Sequence, residues 1–404
     1  MNELAVLAEA GAGAAALAGC AASYAFGRRT ARPVRVLRPF ENVAAEELLG
    51  RPLQLADTSE ARRWIGGADV LVTGAGGSIG SELCRQIAAF APRRLVVLGH
   101  GENSLFELHQ RLLASGVRRE RIQVVLADVA DAARVRAVFA RERPQVVFHA
   151  AAHKHVPICE DNIGEAVRNN VLGTRVLAMA AAAARVAKFV MISTDKAVNP
   201  TSVMGATKRV AETICQSFDA QSSTEFVCVR FGNVLGSRGS VVPVFARQIA
   251  AGGPVTITDK AMTRYFMTIP EAVSLVLVAA STARDGSVCV LDMGEPVAIL
   301  TVAERLIRAM GRIPYREIPI VETGLRPGEK LYEELLTAEE GLTASSADRV
   351  RVAVQQRLDY AAFERRLETL IAASRRDDAD ALVAGLAALV PSFRPDLRAR
   401  LAIA

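Results

Sequence analysis

Short apolar runs alternate with amphipathic stretches of helix length from Ala68 onward. The runs that resemble buried strands are Val70–Val72, Leu95–Leu98, Ile122–Leu126, Val146–Phe148, Phe189–Ile192 and Phe226–Val229. The stretches with helical periodicity are Ser78–Phe90, Asn103–Leu113, Ala132–Phe139, Glu165–Ala184 and Met204–Phe218. Alternation at this spacing predicts an α/β fold with a doubly wound parallel Rossmann sheet.

This regular alternation ends after about Gly232, where loops containing glycine and proline become frequent. We therefore expect a smaller substrate-binding part after the sheet and an arginine-rich helical tail at the end of the chain. The expected parts are an apolar segment and linker (1–67, the linker starting near Pro33), a dinucleotide-binding Rossmann domain (68–231), a substrate-binding part (232–345) and a helical tail (346–404).

The N-terminal segment from Leu4 to Ala25 is long enough to cross a bilayer, although it is mostly alanine and glycine and contains Glu9. A cluster of arginines from Arg28 to Arg38 follows it. If the segment inserts, this cluster keeps the catalytic domain in the cytoplasm, anchored to the inner membrane by residues 4–25. A basic cluster after the apolar run, rather than before it, disfavours a cleaved signal peptide.

Composition narrows the class of protein. With 51% hydrophobic and 23% charged residues, the 404-residue chain has the make-up of a folded protein rather than a disordered one. The net charge is +6, but the basic residues are dispersed and aromatics are only 5%, so we expect no nucleic-acid partner. The six cysteines include no Cys-x-x-Cys pair, which argues against a metal site and for a reducing compartment.

Lysine is rare in this chain and therefore informative. Only six of the 49 basic residues are lysines: Lys154, Lys188, Lys196, Lys208, Lys260 and Lys330. This chain uses arginine for most of its positive charges. We therefore expect its lysines to lie where a side chain must be able to lose its proton, because arginine stays protonated.

A glycine-rich turn follows the first predicted strand. Gly74, Gly77 and Gly80, with Ser78 and Ile79 between them, lie at the junction of that strand and the next helix. Such a turn lets a pyrophosphate approach backbone N–H groups at a helix N-terminus, which predicts a dinucleotide site. The end of the second strand, residues 98–103, has no acid at the position expected for the ribose. NAD and NADP therefore both remain open.

Two residues after the third predicted strand, Asp128 and Val129, have two interpretations. They contact the adenine of the cofactor, or Asp128 caps the following helix. The sequence does not separate these alternatives.

The stretch Ser193-Thr194-Asp195-Lys196 follows the fifth predicted strand, and Met204 and Lys208 lie on the next helix. This arrangement resembles short-chain dehydrogenase/reductases, which have Tyr-x-x-x-Lys on that helix. Spacing of i and i+4 puts both side chains on one helix face. Here Met204 replaces the tyrosine, and a thioether cannot take a proton. Lys196 is a plausible base if a buried, positively charged setting lowers its pKa.

Longer motifs extend this resemblance over roughly two-thirds of the chain. They are Thr73–Glu82, His149–Pro157, Asn169–Thr174, Ser193–Pro200, Arg230–Ser237 and Leu325–Lys330. Together they resemble the membrane-associated UDP-N-acetylglucosamine 4,6-dehydratases of bacterial capsule, O-antigen and glycan biosynthesis, the capsule-D-like branch of the extended short-chain dehydrogenase/reductases. The larger members of this family also have methionine in place of the tyrosine, and they carry several transmembrane helices before the catalytic domain.

The resemblance implies a reaction and a set of roles. NAD or NADP, tightly bound and recycled, oxidises C4 of a UDP-hexosamine. Lys196 then removes the C5 proton and Asp195 protonates the departing C6 hydroxyl, while Thr194 binds the C4 oxygen. Lys208 binds the nicotinamide ribose, and Ala150 and Ala151 line the cofactor site. The product is a UDP-4-keto-6-deoxy sugar.

Substrate contacts are also implied by this family. The candidates for binding the UDP-sugar are Lys154, Asn233, Arg264, Arg326 and Glu329, since a guanidinium suits a diphosphate. We further expect a homo-oligomer.

Two other functions stay open at this point. A sugar-nucleotide epimerase acting at C4 or C5 would share the cofactor chemistry without expelling water. A non-catalytic NAD(P)-sensing protein would keep the fold and lose the reaction, and only Met204 favours it. The sequence does not decide the exact hexosamine, the C5 configuration of the product, the pathway or the acceptor of the C4 hydroxyl proton.

Overall fold

The computed structural model describes residues 43–337, 340–344, 347–353 and 359–395. The expected membrane segment, residues 4–25, lies outside the described residues. Among the helices that are described, none is long and apolar enough to cross a bilayer.

The strands, in chain order, are β1 (Asp69–Thr73), β2 (Arg94–Gly99), β3 (Ile122–Leu126), β4 (Val146–His149), β5 (Lys188–Ile192), β6 (Glu225–Arg230), β7 (Asn233–Leu235), β8 (Val255–Ile257), β9 (Thr263–Arg264), β10 (Phe266–Thr268), β11 (Val288–Leu291), β12 (Val297–Ala298), β13 (Ile320–Glu322), β14 (Leu342–Ala344) and β15 (Val350–Ala353). The helices are α1 (Ala45–Leu49), α2 (Ser59–Ile65), α3 (Ser78–Ala89), α4 (Glu102–Ala114), α5 (Ala132–Glu142), α6 (Val156–Asp161), α7 (Ile163–Val167), α8 (Gly173–Ala183), α9 (Val203–Asp219), α10 (Val241–Ala250), α11 (Ile269–Thr282), α12 (Ile299–Ala309), α13 (Tyr360–Ser374) and α14 (Ala379–Leu389).

Nine strands form the main sheet in the order β14-β15-β11-β6-β5-β4-β1-β2-β3. Neighbours from β3 to β11 run parallel, whereas β15 pairs antiparallel with β11 and β14 antiparallel with β15. Strand order reverses between β1 and β4, which is where doubly wound sheets open a crevice for ligands. The predicted α/β fold with a doubly wound parallel sheet is confirmed.

The two faces of the sheet carry separate apolar clusters because successive strand residues point to opposite sides. In β1, Leu71 packs into one cluster and Val70 and Val72 into the other. Helices α5, α8, α9, α13 and α14 contribute to the first, and α2, α3, α4 and α11 to the second. Helices on both faces explain why every residue of β1 is buried.

The expected linker differs from the structure over its second half. Helices α1 and α2 form between residues 45 and 65, and each buries apolar side chains. The backbone amides of Gln54 and Ala56 donate to the side chains of Glu271 and Ser274 on α11. These helices are too short for apolar periodicity to reveal, and tertiary contacts stabilise them.

The chain also returns to the sheet after residue 231. β11 extends the parallel sheet from within the part expected to bind substrate, and β15 extends it from within the expected helical tail. β14, at the end of the part expected to bind substrate, joins the sheet through β15. The other strands of that part form small two-stranded pairs, β7 with β10, β8 with β13 and β9 with β12. Helices are present in the tail, as α13 and α14.

A buried carboxylate network fixes the carboxyl ends of β5 and β6. Glu212 on α9 is fully buried and accepts hydrogen bonds from Ser193 Oγ (2.6 Å) and from Arg230 Nε and Nη2 (both 2.7 Å). Arg230 also donates to Glu340 (2.8 Å), which lies after the last predicted substrate motif. One carboxylate therefore joins two strand ends, one helix and the segment that follows the substrate motif.

We expect Glu212→Gln to destabilise the fold by about 3–5 kcal/mol, because the fully buried Arg230 would lose its main counter-charge. Urea denaturation measures this change. Glu322→Gln is the matched control, since Glu322 and its partner Lys260 are both exposed and such pairs contribute about 0–1 kcal/mol. Equal effects of the two substitutions would contradict the role given to Glu212.

The Glu212 carboxylate also predicts that the stability of the fold depends on pH. Burial alone would raise the pKa of Glu212, but Arg230, Arg209 and Ser193 lower it from 4.5 to about 2. A depressed folded-state pKa gives stability that is present above pH 4.5 and is lost as the pH falls toward 2. We expect this loss to be smaller in Glu212→Gln, as measured by urea denaturation across that interval.

Candidate active site

A cavity of about 820 Å³ lies at the carboxyl ends of the parallel strands. Its lining combines the glycine-rich turn after β1, the segments after β4, β5 and β6, the start of α9 and residues near Arg326. The cavity therefore coincides with the reversal of strand order, and it joins the expected cofactor and substrate regions in one space.

The glycine-rich turn is shaped so that only glycine fits at two positions. Gly74 has φ +63°, and a Cβ built on it would lie 2.5 Å from the amide nitrogen of Ala151. A Cβ on Gly80 would lie 2.2 Å from the carbonyl oxygen of Gly74. Helix α3 begins directly after Gly77, so the amides of its first turn face the cavity edge that Ser78 and Ile79 line.

The other expected cofactor residues divide into two groups. Ala150 lines the cavity. The backbone of Ala151 instead packs closely against Gly74 of the glycine-rich turn. Asp128 and Val129 lie outside the cavity lining. Asp128 accepts from the amide of Ala130 (2.8 Å) and pairs with Arg168 (3.2 Å). Because Asp131 caps α5, the helix-cap interpretation of Asp128 is wrong; the adenine contact stays a prediction.

The catalytic candidates Thr194, Asp195 and Lys196 follow β5 at the start of a short 3₁₀ turn. Asp195 is fully buried, and its Oδ1 accepts from Thr194 Oγ1 (2.9 Å) and from Lys196 Nζ (3.0 Å). Its second oxygen, Oδ2, is buried without a hydrogen-bond partner among the described residues. The three side chains thus form one contiguous group with one carboxylate oxygen unoccupied.

Lys196 has an acidic environment, contrary to the positively charged setting that the sequence suggested. Its Nζ contacts Asn233 Oδ1 (3.2 Å) and Glu333 Oε1 (3.5 Å) in addition to Asp195. Burial lowers the pKa of Lys196, but attraction to Asp195 and Glu333 outweighs it and raises the pKa above its usual value. The expectation of a lowered pKa is therefore wrong for this arrangement, because two carboxylates surround the amine.

Met204 and Lys208 lie on the first turns of α9, and both line the cavity. Lys208 is 4% exposed, and its Nζ has no hydrogen-bond partner within the described parts of the chain. Burial lowers its pKa. The cavity-lining Lys208 and the glycine-rich turn, whose close backbone approach a Cβ would block, both fit a bound dinucleotide.

The substrate candidates all line the cavity but differ in how they are held. Lys154 donates to Ser237 (3.2 Å), and burial lowers its pKa, helped by the nearby Lys196. Arg326 forms a two-point ion pair with Glu329. Arg264 is buried and donates to the carbonyl oxygens of Lys330 (2.6 Å) and Leu331 (3.0 Å), so its guanidinium holds the protein's own backbone.

Two further residues belong to this site and were not predicted from the sequence. Glu333 contacts Lys196. Arg238 reaches the glycine-rich turn, donating from its amide to Ser78 Oγ and from Nη1 to the carbonyl oxygen of Gly76, both at 3.0 Å. Neither residue shows a periodicity or a pairing that marks it. Only their positions close behind recognisable motifs could have drawn attention to them.

In the described part of the chain, no group of three His, Cys, Asp or Glu side chains is arranged to hold a metal ion. The cysteines described there (Cys84, Cys159, Cys215, Cys228 and Cys289) are buried and unpaired.

A family model whose description is polysaccharide biosynthesis protein matches residues 70–355, which include the glycine-rich turn, the Thr194–Lys196 group and the Arg326 segment. The chain belongs to the polysaccharide biosynthesis protein family. The capsule-D-like resemblance drawn from the motifs is thereby confirmed, while membrane association stays a prediction.

Three curated relatives illustrate this membership. The chain is 55% identical over 302 residues to the capsular polysaccharide biosynthesis protein CapD of Staphylococcus aureus, covering 74% of this chain and 50% of that protein. It is 52% identical over 314 residues to the probable polysaccharide biosynthesis protein EpsC of Bacillus subtilis, covering 78% and 51%. The chain thus spans about half the length of these two relatives. It is also 39% identical over 222 residues to the UDP-glucose 4-epimerase of Rickettsia canadensis, covering 54% and 64%.

Among solved structures, Pen from Bacillus thuringiensis matches with a TM-score of 0.66 and 34% identity. The match covers 71% of this chain and 89% of Pen.

We expect Gly80→Ala to weaken dinucleotide binding by about tenfold or more, because the new Cβ would displace the Gly74 carbonyl from the turn. Titration with NADH or NADPH, followed by cofactor fluorescence, measures the affinity. Gly99→Ala is the control: its Cβ would make an ordinary 3.5 Å contact with Leu105. Unchanged affinity in a folded Gly80→Ala protein would contradict the assignment of the turn.

Proposed function

We propose that this protein is a nucleotide-sugar 4,6-dehydratase that converts UDP-N-acetylglucosamine, or a related UDP-hexosamine, to its UDP-4-keto-6-deoxy derivative for polysaccharide or glycan biosynthesis. The observation that carries the proposal is the contact of 3.0 Å between Asp195 and Lys196 in the cavity that also holds the nucleotide cradle. Elimination of water needs both an acid and a base, and this pair supplies one of each.

The cofactor proposed is NAD or NADP, held by the turn from Gly74 to Gly80 and by Lys208. When bound, it would accept a hydride from C4 of the sugar and return it to C6. Because Met204 is a thioether, it exchanges no proton; in the proposed site it packs at the cavity wall, where it is 3% exposed.

The proton transfers fall to the Thr194–Lys196 group. The unoccupied Oδ2 of Asp195 takes the proton of the C4 hydroxyl, whose oxygen Thr194 binds. Lys196 removes the C5 proton while Asp195 passes its proton to the leaving C6 hydroxyl, and water departs. Lys196 finally returns a proton to C5. The C4 hydroxyl proton and the C6 hydroxyl together account for the water released.

Binding of the diphosphate is assigned to cations at the cavity wall, Arg326 and Lys154, with Glu329 orienting Arg326. Arg264 contributes by fixing the segment around Lys330, and Asn233 by holding Lys196.

An epimerase is the second candidate, and the Rickettsia canadensis relative named UDP-glucose 4-epimerase favours it. An epimerase would use the same cradle but would change configuration at a ring carbon with no loss of water. The Asp195–Lys196 contact supports the dehydratase over this alternative, because reversal of a C4 hydroxyl requires no base at C5.

The function is tested by incubating the full chain with UDP-N-acetylglucosamine and cofactor in heavy water and recording mass spectra of the nucleotide sugar. The dehydratase predicts loss of one water and gain of one deuterium at C5. NMR of the product gives its C5 configuration. A new isomer formed without loss of water would instead identify an epimerase, and bound cofactor without conversion of any UDP-hexosamine would contradict both.

We expect Lys196→Ala to lose C5 deuterium incorporation by about 100-fold or more, since it removes the proposed base. Met204→Ala should keep most of the activity, because no proton passes through the thioether. Lys260→Ala serves as the lysine control, being an exposed residue paired with Glu322. Full incorporation in Lys196→Ala would remove Lys196 from the mechanism.

A further inference from the structure

Glu333 is a buried carboxylate with an unused oxygen beside the proposed base. Its side chain is 4% exposed, and its Oε1 lies 3.5 Å from Lys196 Nζ and 3.7 Å from Arg264 Nη2. Its Oε2 is buried with no hydrogen-bond partner among the described residues. A carboxylate is rarely buried in this way without a function, because desolvation of an incompletely bonded charge is costly.

The position of Glu333 depends on hydrogen bonds made by the residues that precede it in sequence. Arg264 donates to the carbonyl oxygens of Lys330 and Leu331, and Lys330 Nζ donates to the carbonyl oxygen of Val198 (3.1 Å). Val198 directly follows the 3₁₀ turn that carries Lys196. These hydrogen bonds hold the segment before Glu333 against the turn that carries Lys196, so the two side chains lie next to each other.

The proposed reaction requires a group that accepts the ammonium proton of Lys196. Between Asp195 and Glu333, Lys196 is an ammonium ion, whereas a base must be a neutral amine. Asp195 cannot store the extra proton, because in the proposed function it must be ionised to take the proton of the C4 hydroxyl. Some other group has to accept the ammonium proton before C5 can be deprotonated.

We propose that Glu333 accepts the ammonium proton of Lys196, so that Lys196 enters the C5 step as a neutral amine. One N–H bond of Lys196 breaks, an O–H bond forms on the Glu333 carboxylate, and no other reactant is needed. When substrate covers the cavity and excludes water, this transfer is favoured, because the transfer converts a desolvated ion pair into two neutral groups. The proton returns to Lys196 when product leaves.

The surroundings of the pair support this transfer. Burial raises the pKa of Glu333 and the neighbouring Asp195 acts in the same direction, so that together they outweigh Lys196, Arg264 and Lys330, which favour the ionised carboxylate. Lys154 also faces Lys196 and destabilises a second positive charge there. Glu333 acts through Lys196: it is a positioning residue that accepts and returns the proton of that amine. The proposed reaction requires no contact between Glu333 and the sugar.

The test rests on the proposed function and compares C5 deuterium incorporation across pH in the wild type and Glu333→Gln. An amide cannot accept the proton, so Lys196 would have to lose it to solvent. We expect about 100-fold less incorporation near neutral pH, recovering as the pH rises, with partial rescue in Glu333→Asp. Formation of reduced nicotinamide on mixing with substrate, which does not use Lys196, should stay at the wild-type rate.

Three outcomes would overturn the proposal. Incorporation in Glu333→Gln at or above wild type near neutral pH would mean that Glu333 only stabilises the ammonium ion. An equal loss at every pH, or a parallel loss of nicotinamide reduction, would mean a structural role. Glu322→Gln is the control, because Glu322 is exposed, pairs with Lys260 and lies outside the cavity lining. Absence of incorporation in the wild type would contradict the proposed function instead.

A second readout needs no turnover. Because the chain has only six lysines, protein labelled with ¹³C at lysine Cε gives a small set of NMR signals that can be assigned by substitution. In the cofactor-free protein, the pKa of Lys196 should fall in Glu333→Gln, since a nearby negative charge is removed. An unchanged pKa of Lys196 would show that the two groups do not interact, and the proposal would fail.

Discussion

The arrangement of the active site depends on one buried carboxylate, Glu212. It joins Ser193 at the end of β5 to Arg230 at the end of β6, and it lies on α9, the helix that carries Met204 and Lys208. Both of its oxygens are used, and Arg230 carries the connection on to Glu340. The network therefore joins the turn after β5, helix α9 and the segment around Glu340, which belong to different parts of the chain.

The buried carboxylate of Glu212 differs from the carboxylates beside Lys196 in how fully its oxygens are hydrogen-bonded. Glu212 is saturated with hydrogen bonds, and its charge is matched by arginines that cannot lose a proton. Asp195 and Glu333 each keep one oxygen without a hydrogen-bond partner in the parts of the chain that the structure describes, and the cation between them is a lysine. Saturation makes the first group rigid and inert, whereas the unsatisfied oxygens of the second make proton transfer feasible at the same depth of burial.

Much of the fold followed from local patterns. The first six sheet strands, the helix after the glycine-rich turn and the Met204–Lys208 face are set by runs and spacings shorter than twenty residues, so the sequence predicts them. Helices α1 and α2 depend on partners more than two hundred residues away, as the Gln54–Glu271 contact near them illustrates. The returns of β11 and β15 also depend on pairing between distant segments, Val288 with Cys228 and Val288 with Ala353. The pKa direction of Lys196 was predicted wrongly because no local pattern shows that the carboxylates of Asp195 and of Glu333, which is distant in sequence, both lie beside the amine.

The chain leaves the sheet twice after β6, over residues 231–287 and 292–349, and each excursion begins and ends at neighbouring strands. Surface loops in these excursions can change length and composition without disturbing the strands that bracket them. Asn233 and Glu333, however, lie in the excursions and contact Lys196 after β5. A change that replaced either excursion whole would therefore alter the surroundings of Lys196 as well as the cavity wall.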